Sequence, residues 1–103
     1  MITPEMSHAA VDDRERQLID FTQRIVRAPS ISGEEGEVAK IIVSELNELD
    51  SDEVWTDKVG NIIGKINGRD GPTILLNGHM DIVDPGPADG WPHPVYSGDI
   101  VDG

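Results

Sequence analysis

The sequence predicts an α/β fold, and within that class the opening portion of a larger α/β domain. Three observations predict it. Two stretches with apolar residues at helical spacing come first. Three short runs rich in β-branched and apolar residues follow, separated by glycine-containing turns. The third run is apolar on consecutive residues, which asks for cover on both faces of a sheet. Two helices leave at least one sheet face open, so these 103 residues hold only part of the layers that the pattern implies.

The elements follow in chain order. Residues 1–10 (MITPEMSHAA) show no periodicity and are expected to form a flexible tail, leaving 11–103 as domain. Asp12 or Asp13 can cap a helix reaching about Arg27, whose stripe is Leu18, Phe21, Ile25 and Val26. Ala28 precedes Pro29 and is thereby pushed out of the helical region, which ends the helix. Ser32 is expected to cap a second helix, with Glu34, Glu35 and Glu37 in the first turn, where the helix dipole favours negative charge. Val38, Ile41, Ile42, Leu46 and Leu49 carry its apolar face.

Glu53–Asp57 (EVWTD) reads as a strand, Lys58-Val59-Gly60 as a turn, and Asn61–Asn67 (NIIGKIN) as a second strand. The short connection makes the two antiparallel. After a turn at 68–71, Thr73–Asn77 is expected as a third, buried strand. Asp84–Pro94 holds four prolines and two glycines and reads as a surface loop. The last nine residues, VYSGDIVDG, read as a hairpin turning at Ser97-Gly98.

Twenty acidic residues against eight basic ones leave a net charge of −12, which argues against a nucleic-acid backbone or an anionic membrane surface as partner. There is no cysteine, so any metal must be held by His, Asp or Glu. The N-terminus lacks the basic-then-apolar pattern of a signal peptide, and no apolar run approaches the ~20 residues needed to span a bilayer. These features lead to the expectation of a cytoplasmic protein.

The chemistry concentrates in TILLNGHMDIVDPG, residues 73–86. His79 and Asp81 stand two positions apart where the third strand runs out, and on extended backbone such residues project to one side. A carboxylate that accepts from one ring nitrogen fixes the tautomer and aims the other nitrogen outward, the arrangement of a metal-binding histidine. The spacing alone equally describes a histidine bonded to a neighbouring carboxylate for structural reasons. Position favours the metal reading, because the pair follows a buried strand and precedes an irregular loop. Asp84, Asp89 and His93 lie close by in sequence but read as solvated loop groups, and His8 lies in the tail. Ser30 and Ser32 have no base beside them and read as turn or capping residues. Gly33-x-x-Gly36 lacks the length and the lysine of a phosphate loop. Trp55 is expected to pack in its strand, and Trp91 to anchor the loop.

Several of these segments together resemble one family. LLNGHMDIVDPG followed by GW is similar to the first metal-ligand motif of the zinc-dependent amidohydrolases that include acetylornithine deacetylase, succinyl-diaminopimelate desuccinylase, aminoacylase and glutamate-releasing carboxypeptidases. RIVRAPSISGEEGEVAKII is similar to the family's opening helix, Pro-Ser-x-Ser-Gly-x-Glu segment and second helix. DKVGNIIGKI resembles its Gly-Asn strand, and VYSGDIVDG the hairpin after the first ligand. The resemblance runs from about Arg14 to Gly103 in the right order.

It implies that the chain is the N-terminal part of a three-layer zinc-peptidase-like catalytic domain. His79 would be a metal ligand to one of two zinc ions, with cobalt or manganese as possible substitutes, and Asp81 the catalytic residue that holds its imidazole. The implied activity of the complete protein is hydrolysis of a peptide or N-acyl amino acid bond, as in a metallopeptidase or deacetylase. The family's remaining ligands, its general-base glutamate and its inserted dimerisation domain are expected beyond the hairpin, past Gly103. On that reading the 103 residues alone are inactive, since a catalytic zinc normally takes about three protein ligands. The alternative is a non-catalytic protein that keeps the start of the fold for binding or regulation.

Overall fold

The computed structural model describes residues 1–103. Three helices come first: α1 (Pro4–Asp12), α2 (Glu15–Arg27) and α3 (Gly36–Glu48). Two strands follow, β1 (Glu53–Thr56) and β2 (Ile62–Lys65). They pair antiparallel, with Glu53 opposite Lys65 and Thr56 opposite Ile62. The mixture of helices and antiparallel strands is compatible with the expected α/β class.

Within the first ten residues, where no periodicity is seen in the sequence, α1 starts. Thr3 accepts from the Met6 N–H at 3.2 Å through its hydroxyl, and Pro4 takes the first helical position, where its missing N–H costs nothing. All residues of α1 are exposed. Asp12 and Asp13 therefore end α1 rather than cap the next helix; α2 starts from Arg14 without a side-chain cap.

α2 and α3 are joined by a charge cluster. Arg24 reaches Asp20 one turn back at 2.9 Å and Glu45 on α3 at 2.6 Å, while its guanidinium lies 5.6 Å from the Phe21 ring centre. The apolar face of α3 turns inward as its spacing requires: Val38 is buried, and Ile41, Ile42 and Leu46 are half-buried. β2 meets this face closely at Gly64, where a Cβ would stand 2.8 Å from Leu46 Cδ2.

The β1–β2 connection is built around Asp57. Its carboxylate accepts from the backbone N–H groups of Val59 and Asn61, both at 2.9 Å, and from the Asn61 side-chain amide at 2.8 Å. Gly60 supplies the positive φ of +95° that the turn needs. These bonds hold the Asp57 carboxyl below the usual carboxylate range, the Asn61 amide contributing most.

Two expected strand features are absent. Thr73–Asn77 belongs to no sheet, and Ile74, Leu75 and Leu76 are 81, 82 and 90% exposed rather than buried. No neighbouring strand is present to satisfy that segment's backbone, so it forms no ladder. Residues 95–101 likewise form no hairpin. They dock on α2 instead: the Gln23 amide donates to the Gly98 carbonyl at 2.8 Å, and Arg27 Nε donates to the Ser97 carbonyl at 2.9 Å. The approach is close enough that a Cβ on Gly98 would lie 3.0 Å from the Gln23 carbonyl oxygen.

Val38 and Ser30 are the two buried residues. The Cα radius of gyration is 16.6 Å, against ~13 Å for a compact domain of about 100 residues. No helix is long and apolar enough to cross a membrane.

Candidate metal-binding site

The site is assembled where the segment after α2 meets the segment after Leu76. The Ile82 N–H donates to the Ser30 carbonyl at 3.0 Å, and Ile31 and Ile82 form a single parallel bridge. Burial of Ser30 in this contact fixes the two segments against each other. The preceding residues 79–81 are thereby held beside the turn at Ile31–Glu34.

His79 and Asp81 come together as their spacing predicts. His79 Nδ1 lies 3.0 Å from Asp81 Oδ1 and 2.9 Å from the Asp81 backbone carbonyl. Both oxygens can only accept, so Nδ1 is the nitrogen that carries the proton. Nε2 then presents a lone pair; it makes no hydrogen bond within the chain, and the side chain is 83% exposed. This is the donor arrangement that suits a divalent metal ion, with the imidazole fixed by a carboxylate behind it. His79 could therefore serve as one ligand, with the Asp81 carboxylate seated behind its ring.

Ser32 occupies a place that its sequence position did not reveal. It caps no helix; α3 starts from Glu35 with no side-chain cap. Its hydroxyl donates instead to Asp81 Oδ2 at 2.5 Å, across 49 residues of chain. The Ser32 hydroxyl first, and the His79 ring second, hold the Asp81 carboxyl below the usual carboxylate range. No feature of spacing or composition signals a contact between segments so far apart.

The remaining candidates form no metal-holding group with the pair. Asp84 accepts from the Gly86 N–H at 2.8 Å and shapes its own loop. Trp91 Nε1 donates to the Pro85 carbonyl at 3.0 Å, anchoring the loop to itself, while the ring stays about half exposed. Asp89 sits in the single helical turn at Ala88–Gly90, and His93 is exposed two residues beyond Trp91. No three of the chain's His, Asp and Glu side chains converge in a way that could hold a metal ion.

Comparison with known proteins places this geometry in context. The chain is 34% identical over 86 residues to a succinyl-diaminopimelate desuccinylase of Methylorubrum populi, a match covering 77% of this chain and 22% of the relative. A desuccinylase of Hydrogenovibrio crunogenus is 29% identical over 86 residues, covering 82% and 22%. A protein of Pyrococcus abyssi named as a LysW-lysine/LysW-ornithine hydrolase is 46% identical over 65 residues, covering 63% and 19%. Over about three quarters of its length the chain is thus similar to amidohydrolases of the succinyl-diaminopimelate desuccinylase kind.

The match agrees with the order of segments that resemble the family's N-terminal part. The chain spans about a fifth of the length of the curated relatives it matches. No family model and no solved structure matches the chain. Within the chain, the His79–Asp81 pair is the chemically distinctive feature.

Proposed function

We propose that the chain supplies the first metal ligand of a two-zinc hydrolase that cleaves a peptide or N-acyl amino acid amide bond. The observation that carries this reading is the His79 ring held through Nδ1 by Asp81, with Nε2 free and exposed. When bound, the metal pair supplies Lewis acidity toward the amide carbonyl and the attacking water. His79 would bind through Nε2, and Asp81 would keep the ring in the tautomer and orientation that metal binding needs. Zinc is the favoured ion, and cobalt or manganese suits the same donors.

Residues 11–103 are, on this reading, the N-terminal portion of a three-layer catalytic domain. The exposed apolar side chains of Ile74, Leu75 and Leu76 and the large radius of gyration support it, since further sheet and helix would cover that surface. One imidazole does not make a catalytic site, so the 103-residue chain alone is inactive and binds zinc weakly. The complete protein works in the cytoplasm on a small peptide or N-acyl amino acid. The relatives' names, desuccinylase and hydrolase, are in keeping with such a substrate.

The test is to read the gene past the Gly103 codon and assay its product. An in-frame continuation, whose protein carries two zinc ions and releases an acyl group from an N-acyl amino acid, supports the proposal. A stop codon there, with a product that binds no divalent metal and cleaves no amide, overturns it in favour of a non-catalytic binding protein.

A further inference from the structure

We infer that Ser32 is a positioning residue for His79, acting through Asp81. The Asp81 carboxylate is the only link between them. Its Oδ2 accepts from the Ser32 hydroxyl at 2.5 Å, and its Oδ1 faces His79 Nδ1 at 3.0 Å. A carboxylate gripped at one oxygen cannot rotate about its terminal bond without breaking that bond, so the other oxygen stays on the ring. The grip is short and charge-assisted, the stronger class of hydrogen bond.

The backbone around Ser32 is built to aim it. Residues 31–34 form a tight turn closed by the Glu34 N–H donating to the Ile31 carbonyl at 2.7 Å. Gly33 stands at its third position with φ +90°, which a turn of this kind demands of glycine. The Glu35 carboxylate accepts from the Gly33 N–H at 2.9 Å and holds the turn from its far side. One residue before Ser32, the Ile31–Ile82 bridge fixes the distance to the segment that carries Asp81. The hydroxyl therefore reaches Asp81 from a rigid platform.

The contact governs orientation rather than tautomer. The Asp81 backbone carbonyl also accepts from Nδ1 at 2.9 Å, so the ring keeps its Nδ1 proton even if the carboxylate swings away. What the hydroxyl controls is whether the carboxylate stays in place and the ring stays still. This deepens the hydrolase reading, on which it rests for its purpose, but its test needs no metal.

The experiment is solution NMR of the 103-residue chain and two variants, Ser32→Ala and Ser32→Thr. The readouts are the Asp81 Hα–Hβ couplings, which report its rotamer, and nuclear Overhauser contacts between the Asp81 Hβ protons and the His79 ring. The Ile31–Ile82 backbone contact serves as the internal reporter of local folding. The expected result is a single Asp81 rotamer in the wild type and in Ser32→Thr. In Ser32→Ala the couplings move to rotamer-averaged values and the Asp81–His79 contact weakens at least twofold, while the Ile31–Ile82 contact persists. The inference is overturned if the wild type shows averaged couplings or no Ile31–Ile82 contact. It is equally overturned if Ser32→Ala keeps the single rotamer, or if Ser32→Thr fails to restore it. None of these outcomes depends on zinc or on hydrolysis, so a failure here is separate from a failure of the proposed activity.

Discussion

Replacing Ile74, Leu75 and Leu76 together by serine should change how the 103-residue chain behaves in solution. The three side chains are 81, 82 and 90% exposed and adjacent, in a segment that no strand pairs with. Fully burying one Leu or Ile contributes ~1.5–3 kcal/mol, so three side chains exposed to this degree leave about 4–8 kcal/mol of burial unused. Leaving the surrounding polar backbone unpaired adds a template for strand pairing. Two copies pairing through this segment would gain about 8–16 kcal/mol against ~4–15 kcal/mol for immobilising two molecules, so weak association that grows with concentration is the expected outcome. Sedimentation velocity across a tenfold range of concentration is the assay. The wild type should form concentration-dependent assemblies, and the triple serine variant should sediment as a monomer with unchanged helix content. A compact wild-type monomer at every concentration would refute the reasoning, because the exposed surface would then have no consequence.

Three further outcomes follow from the same structure. The Asp57 carboxylate, held low by Asn61 and the turn N–H groups, should titrate below the ordinary aspartate range; because the folded value is the lower one, the stabilisation is complete above the unfolded value and fades as pH falls through the folded value, as carbon-detected NMR would show, and a midpoint at or above the ordinary value contradicts it. Gly64→Ala places a Cβ 2.8 Å from Leu46 Cδ2, the far end of a side chain that can turn aside, so the ~0.5–1 kcal/mol gained by removing a strand glycine should leave stability unchanged or slightly raised by urea titration, and a loss of more than about 1 kcal/mol contradicts it. Gly33→Ala meets no atom within 4 Å but must hold φ +90°, so it should cost ~1–2 kcal/mol locally, read as faster amide exchange at Glu34 than in the wild type.

Local signals in the sequence carried most of the helical and hairpin structure. The stripes at Leu18, Phe21 and Ile25 and at Val38, Ile41, Ile42 and Leu46 lie on helices within a few residues of the expected ends. The β1–β2 hairpin also stands where Lys58-Val59-Gly60 predicted a turn, because its bonds span only a few residues. At the N-terminus, Thr3-Pro4 is a cap followed by proline at the first helical position, a signal of α1 that the missing periodicity obscured.

The third strand and the terminal hairpin failed for a different reason. An apolar run predicts a buried strand only if partners exist, and none of the other 98 or so residues pairs with Thr73–Asn77. At the candidate site, the approach of His79 and Asp81 was legible from their spacing on neighbouring backbone. The Ser32–Asp81 bond was not, because it depends on a bridge between residues 31 and 82 that only the folded chain brings together.

The central claim is that His79 Nε2 is the atom of this chain that seeks a metal. Zinc titration followed by histidine ring NMR tests it most directly, since His8, His79 and His93 are all exposed and report side by side in one sample. The account predicts that the His79 ring responds at Nε2 at lower zinc concentration than the other two, with weak affinity, and that Asp81→Ala removes the difference. If His79 responds no earlier than His8 and His93, or binds through Nδ1, the claim is contradicted.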